Sequence, residues 1–341
     1  MATIKEVAKV CEASIATVSN VLNGKGRVSE ETRQRILNTA REMGYVPNMM
    51  AKNLKQRHTR MIGIITEDLT VFNCADIVDG IHERLEEKDY TYLLGNLRLY
   101  KKYDNAFYHH EGYHAQVEEE FRIMQSKQVA GVIYVGAHCR EMKSIPTGYN
   151  VPIVVAYGIS VNKEIPSVIY DDEQAAFDAT EQLIKEGYKK IGLIAGELES
   201  HHTIDRQRGY QRALFNHGIL CNPALVQNGD WSREKGHEAC RELMKQGADA
   251  IFSMSDVMAA GVYDYMNEKG LRVGRDIGLI GFDNREISKA FNPELSTMAV
   301  PLSQIGRESA DILIRMIEDE SFIPESVYKI SCQLVSRNSE K

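Results

Sequence analysis

Residues 3–23 read T-I-K-E-V-A-K-V-C-E-A-S-I-A-T-V-S-N-V-L-N, and their spacing predicts two short helices. Ile4, Val7, Ala8 and Cys11 form one apolar stripe, and Ile15, Val18, Val21 and Leu22 form a second, each at the i, i+3, i+4 spacing of a helix face. Ser14 precedes the second stripe and is placed to cap its unpaired N–H groups. Only Cys11-Glu12-Ala13 separates the stripes, which leaves room for a tight turn, and Ala8 lets the two helices cross closely. A third stripe, Ile36, Leu37, Ala40 and Met43, follows Ser29 as its cap. Residues 1–46 are therefore expected to form a three-helix unit with a helix-turn-helix.

Charge separates this head from the rest. Residues 1–60 hold 11 Lys/Arg against 5 Asp/Glu, whereas the remainder holds 30 against 43, giving −7 overall. A basic head on an acidic body suggests that the head alone meets a polyanion. If the second helix lies in a DNA major groove, Ile15, Ala16 and Asn20 are spaced to reach base edges. Thr3, Ser14, Thr17, Ser19 and Asn23 then supply hydroxyls and amides for phosphates, with Ser29 in the same set. Asn20 suits a bidentate pair with adenine and Ile15 a thymine methyl. The plainer alternative is a three-helix bundle with polar faces.

The run T-I-K-E-V-A-K-V-C-E-A-S-I-A-T-V-S-N-V-L-N, then V-S-E-E-T-R-Q-R-I, then M-G-Y-V-P-N-x-x-A-x-x-L closely resembles the DNA-binding head of the lactose/galactose repressor family. It departs at Glu12, where the family usually has Gly or Asn at a position that tends to need positive φ. The resemblance implies that residues 47–60 are a hinge whose helix folds on DNA and enters the minor groove. There Leu54 would wedge between two central base pairs, Ala51 would let paired helices approach, and Lys52 and Lys55 would neutralise phosphates. Nine residues after Pro47 are too few for a stable lone helix in water, and an inserted wedge exchanges a few kcal/mol of unstacking for a kinked duplex with more contact.

From residue 61 the pattern changes to short apolar runs, each followed by a helical stretch: MIGIIT, YTYLLGN, AGVIYVG, PIVVAYG, KIGLIAG, ADAIFSMSD and DIGLIGFD. Such runs indicate buried parallel strands in an α/β body of two doubly wound sheets. The I-G-[IL]-I start recurs near 62 and 191, suggesting two similar halves, with ligands in the crevice at the carboxyl ends of the strands. The expected subdomains are 61–160 plus 292–320 and 161–291 plus 321–341. The resemblance extends to about residue 335 and implies a periplasmic-binding-protein-like body with a small effector in its cleft. It assigns effector contacts to Arg206 in D-R-Q-R-G-Y, Asp283 in G-F-D-N, Asp171 in V-I-Y-D-D, Trp231 in G-D-W-S and Asp256 in S-D-x-x-A-x-G. Asp172 stands where Asn is common.

The chemistry of that set is coherent by itself. Arg offers a planar donor fork and Asp paired acceptors, so together they clamp neighbouring sugar hydroxyls. The only Trp in the chain suits the apolar face of a pyranose. The same residue types serve a purine, and a corepressor-dependent regulator is open as well. The helix from Gly306, carrying Ala310, Leu313, Ile314 and Ile317, is apolar enough to pack or to join a homodimer. The tail YKISCQLVSRNSEK lacks leucine heptads, which by resemblance favours a dimer over a tethered tetramer.

Several classes are disfavoured. Residues 110–114, H-E-G-Y-H, match the H-E-x-x-H zinc pattern, but two ligands one turn apart need a sound helix, and Gly112 lies between them. The stretch is expected to be an exposed loop without metal. The six Cys show no C-x-x-C spacing, so reduced thiols are expected. MATIKEVAKV has no apolar signal core and no run approaches a membrane span of about 20 residues, so a cytoplasmic protein is expected rather than an exported sugar carrier. No G-x-S-x-G, G-x-x-x-x-G-K-[ST] or post-strand G-x-G-x-x-G occurs, which speaks against an enzyme. No cofactor is called for.

Overall fold

The computed structural model describes residues 2–22, 24–25, 28–45, 59–103, 107–110, 112–146 and 148–341. Asn23 and the hinge residues Ala51, Lys52, Leu54 and Lys55 lie outside the described residues. The chain divides into two units, Met1–Thr59 and Arg60–Lys341.

In the first unit, α1 (Ile4–Val10), α2 (Ile15–Leu22) and α3 (Glu30–Glu42) enclose Val7, Ala8, Cys11, Val18, Val21, Ile36 and Ala40. Each helix has a local reason to start where it does. Thr3 Oγ1 accepts from Glu6 N at 3.3 Å while Glu6 Oε2 accepts from Thr3 N at 2.7 Å, a reciprocal cap. Ser14 Oγ accepts from Thr17 N at 3.0 Å, and Ser29 Oγ from Thr32 N at 3.3 Å. Between α1 and α2 the backbone turns at Glu12 with φ 47°. That left-handed conformation costs a non-glycine residue about 1–2 kcal/mol.

In the second unit the chain runs through β1 (Met61–Thr66), α4 (Phe72–Glu87), β2 (Thr91–Asn96), α5 (Leu99–Tyr103), α6 (Gly112–Ser126), β3 (Gly131–Val135), β4 (Glu141–Met142), β5 (Ile153–Ala156), β6 (Ile159–Ser160) and β7 (Ser167–Tyr170). It continues through α7 (Asp172–Lys185), β8 (Ile191–Ala195), α8 (His201–Asn216), β9 (Val226–Asn228), α9 (Arg233–Lys245), β10 (Ala250–Ser253) and α10 (Asp256–Glu268). The last elements are β11 (Gly278–Asp283), β12 (Ser296–Ala299), α11 (Leu302–Glu318), β13 (Val327–Ile330) and β14 (Gln333–Val335). One sheet has the order β13-β7-β5-β3-β1-β2 and the other β14-β12-β11-β10-β8-β9. All neighbours in these two sheets are parallel except β12 and β14. The apolar runs predicted as strands lie in these sheets; except for the edge strand β2, where Thr91 and Leu94 are exposed, they are buried on both faces, which is why they read as continuous rather than alternating.

The subdomain boundaries differ from the expected ones. Residues 167–170 pair with β5, so the first subdomain runs past 160 to Tyr170. Ser296–Ala299 pairs with β11, so residues 292–299 belong to the second. Val327–Ile330 returns to β7 in the first sheet, and only Gln333–Val335 closes the second. The chain thus crosses between halves in three places, after β7, after β12 and after β13. The helix α11 packs on α4 of the first half through two glycines. A methyl at Gly80 would collide with the Ser303 carbonyl, and one at Gly306 with that of Ile77, so the backbones approach as only glycine allows. Among the described residues no helix is long and apolar enough to cross a membrane.

Candidate functional site

The carboxyl ends of both sheets border one cleft, and its polar centre is Arg206 on α8. This side chain is 2% exposed. Its Nε donates to Asp172 Oδ1 at 2.7 Å, its Nη2 to the Tyr170 hydroxyl at 2.8 Å and its Nη1 to the Met254 carbonyl. The guanidinium carbon lies 3.5 Å from the Phe282 ring centroid and 5.9 Å from that of Trp231. Three of the five guanidinium N–H groups are thereby used. Burial opposes the charge on Arg206, but Tyr170, Asp172 and Asp283 outweigh it and raise its pKa.

The acid that meets Arg206 is Asp172, not Asp171. Asp171 caps α7 by accepting from Gln174 N at 3.3 Å, and pairs with Lys329 at 3.3 Å, so its carboxylate turns away from the arginine. Asp172, 7% exposed, holds Arg206 on one oxygen and lies 2.8 Å from His202 Nδ1 on the other. Burial pushes its pKa up, but His202 and Arg206 prevail and hold it below the ordinary carboxylate value. His202 also stacks on Tyr170, with centroids 5.5 Å apart and planes 6° from parallel, and its Nε2 is 3.4 Å from the Tyr157 hydroxyl.

Asp283 ends β11 with φ 105°, and among the described residues its carboxyl has no hydrogen-bond partner. Burial pushes its pKa up to about 8, against the pull of Arg206. Asp256 is different: its side chain is fully buried, with Oδ1 accepting from Thr297 Oγ1 at 2.6 Å and Oδ2 from Arg285 N at 2.7 Å. Both oxygens are engaged, so Asp256 braces the loop that carries Asp283 rather than facing the cleft. Burial lifts it to about 6 against those two bonds. Trp231, at φ 68°, is half-buried, with its ring against Gly196. Across the opening, the Arg285 guanidinium carbon is 4.9 Å from the centroid of Phe72, the first residue of α4.

In the head, the side of α2 turned away from the core carries Ile15, 47% exposed, together with exposed Ser14, Ala16 and Asn20; Thr17 and Ser19 are half-buried. Thr3 and Ser29 are exposed at the starts of α1 and α3. The two histidines of H-E-G-Y-H do not share a helix: α6 begins at Gly112, and His110 follows a short 3-10 turn at Phe107–His109. Nor is the stretch simply an exposed loop, since Phe107 and Tyr113 are buried against the Arg140 guanidinium. Among the described residues no three His, Cys, Asp or Glu gather as metal ligands.

Residues 3–48 match the family described as bacterial regulatory proteins, lacI family, and residues 180–340 match the periplasmic binding protein-like domain. The chain is 32% identical over 343 residues to the HTH-type transcriptional repressor CytR of Escherichia coli (strain K12), covering 100% of this chain and 96% of that protein. It is likewise 32% identical over 351 residues to catabolite control protein A of Priestia megaterium, covering 99% of each. The chain belongs to the LacI family. Among solved structures, a complex of the transcriptional regulator CelR with cellobiose has a TM-score of 0.66 at 26% identity, covering 99% of this chain and 100% of that one. The Lac repressor dimer bound to operator has the same fold, with a TM-score of 0.79 at 24% identity and 99% of each chain covered. This LacI-family member is a DNA-binding transcription regulator. Sequence reasoning overlooked Tyr170, His202 and Phe282 in its cleft. The i, i+4 spacing of His202 and Arg206 was a visible signal, but only the fold reveals that both reach Asp172.

Proposed function

We propose that the chain is a cytoplasmic, homodimeric repressor without enzymatic activity that binds a pseudo-palindromic operator and is controlled by a small sugar in the cleft. The observation that carries this reading is the incomplete hydrogen bonding at the cleft centre. Arg206 retains two guanidinium N–H groups, and Asp283 offers a carboxyl with no hydrogen-bond partner among the described residues. A donor fork beside an open carboxyl suits adjacent hydroxyls of a sugar ring, and the Trp231 ring suits its apolar face.

On the operator, Ile15, Ala16 and Asn20 read base edges. Thr3, Ser14, Thr17, Ser19, Asn23 and Ser29 hold phosphates, and Ala51, Lys52, Leu54 and Lys55 serve the hinge in the minor groove. The effector acts by binding one arrangement of the two subdomains better than the other; its differential affinity sets the change in operator affinity. That two curated relatives are called repressors and that a related regulator is described in complex with cellobiose support the assignment.

The test is a thermal-shift screen of sugars and purines, then operator titration with the hit. A sugar that raises the melting temperature and changes operator affinity, with both effects lost in Arg206→Lys, is the expected result. A purine hit would move the effector class, and no preference for any palindromic duplex over random DNA would defeat the regulatory reading. Leu54→Ala is expected to weaken operator binding and spare effector binding.

A further inference from the structure

The chain leaves β11 in a conformation that its own residues disfavour. Asp283 and Asn284 follow one another at φ 105° and 56°. Consecutive non-glycine residues stay in left-handed backbone only where their surroundings hold them there. Two bonds brace this turn from below: Arg285 N donates to Asp256 Oδ2 at 2.7 Å, and Asn284 N donates to Thr297 Oγ1 at 3.3 Å. Neither one fixes the Asn284 side chain or the rest of the loop that runs on to β12.

Arg337, just beyond β14, does both. Its side chain is 10% exposed. Nη2 donates to Asn284 Oδ1 at 2.8 Å, and Nη1 donates to Ser288 Oγ at 3.3 Å and to the Leu295 carbonyl. One planar guanidinium thus ties the start, the middle and the end of the loop together. Nε also lies 3.5 Å from the Glu294 carboxylate, but that partner is 55% exposed, so the ion pair adds little. The backbone that carries Arg337 is itself fixed. Arg337 N donates to Ser296 Oγ at 2.7 Å, and Ser339 Oγ accepts from Ser296 N at 2.7 Å and donates to the Leu279 carbonyl at 2.6 Å. A guanidinium reaches several acceptors from one rigid plane, whereas a lysine ammonium is a single point on a flexible stem.

We propose that Arg337 is a positioning residue of the effector site: through Asn284 it holds Asp283 in the backbone conformation that leaves its carboxyl open to the cleft. This rests on the reading above that Asp283 meets the effector. The groups within electrostatic reach of that carboxyl are Arg206 on α8, Asp256 on α10, Asp172 at the start of α7, Arg285 in its own loop, and the Tyr157 and Tyr170 hydroxyls. Arg337 acts on none of these; it acts on the peptide that follows Asp283.

Full-length protein and its Arg337→Lys variant are each compared with their Asp283→Asn counterparts by urea unfolding from pH 5 to 8. In the parent background Asp283→Asn gains stability over Asp283 as pH rises, because a buried carboxyl must ionise. In the Arg337→Lys background that gain should shrink by about half or more, since a released loop lets the carboxyl reach water. An arginine that merely stabilises the fold lowers both midpoints equally and leaves the gain intact. That result overturns the proposal, as does a parent in which no gain exists. Asn284→Gly removes the acceptor and tolerates positive φ; it should act as Arg337→Lys does, and it decides the matter if the lysine variant does not fold. Cellobiose, glucose, adenosine and ribose are then titrated calorimetrically. Any that binds the parent should bind both loop variants about tenfold weaker, the worth of one hydrogen bond to a charged group, and an unchanged affinity overturns the proposal. If none of the four binds, the effector reading of Asp283 falls; the pH comparison needs no effector, so it still tells whether Arg337 holds that residue, and the two failures are distinct.

Discussion

Asp283→Asn should make the body more stable and less responsive. In the folded chain burial pushes the Asp283 carboxyl up to about 8, well above the ordinary carboxylate value of 3.8, because it outweighs the attraction of Arg206. A carboxyl raised on folding leaves stability intact below its unfolded pKa, and that stability is lost as pH rises toward and through the folded value. At 1.36 kcal/mol per pKa unit the ceiling is about 5 kcal/mol by pH 8; solvent reaching the half-buried group reduces this to about 1–3 kcal/mol. Asn has nearly the same shape, tolerates positive φ and does not ionise, so the variant escapes the loss. Urea titrations from pH 5 to 9, followed by the fluorescence of the single Trp231 beside Arg206, read the difference directly. The variant should already exceed the parent at pH 5, the gap widening to about pH 8 and levelling off by pH 9, while its response to the effector declines, since a neutral amide replaces the ionisable acceptor. A stability gap that stays constant across that range would refute the desolvation argument.

Other substitutions test separate parts of the molecule. Asp172→Ala leaves the buried Arg206 guanidinium without its counter-ion and should cost about 3–5 kcal/mol in urea unfolding, with Asp172→Asn costing less. Ile36→Ala, at a fully buried head position, should cost the head about 2–5 kcal/mol; operator binding is then lost in gel-shift assays, and effector binding to the body persists. Glu12→Gly relieves the left-handed turn at φ 47° and should stabilise the head by about 1 kcal/mol, seen as a later first transition in calorimetry.

The sequence by itself determined whatever is decided within a few residues. Thr3, Ser14 and Ser29 begin their helices because a hydroxyl two or three residues upstream reaches the free N–H groups. The runs at 61–66, 191–195 and 278–283 are strands because a fully apolar stretch of that length is stable only when covered on both faces. Arg206 could be picked out because its neighbourhood follows a family motif. Tertiary structure alone decided which half owns residues 167–170, 296–299 and 327–330, since a four-residue strand is placed by the strand it pairs with, which for 327–330 lies 160 positions back. It also decided that Asp172 rather than Asp171 meets Arg206: one neighbour is consumed in capping its own helix, and the other faces a guanidinium 34 residues away. The tyrosine- and histidine-rich stretch read as a surface loop because its anchor, the Glu67–Arg140 pair, joins residues 73 positions apart. Local chemistry is written in order along the chain, but burial and charge pairing depend on which distant segments fold together.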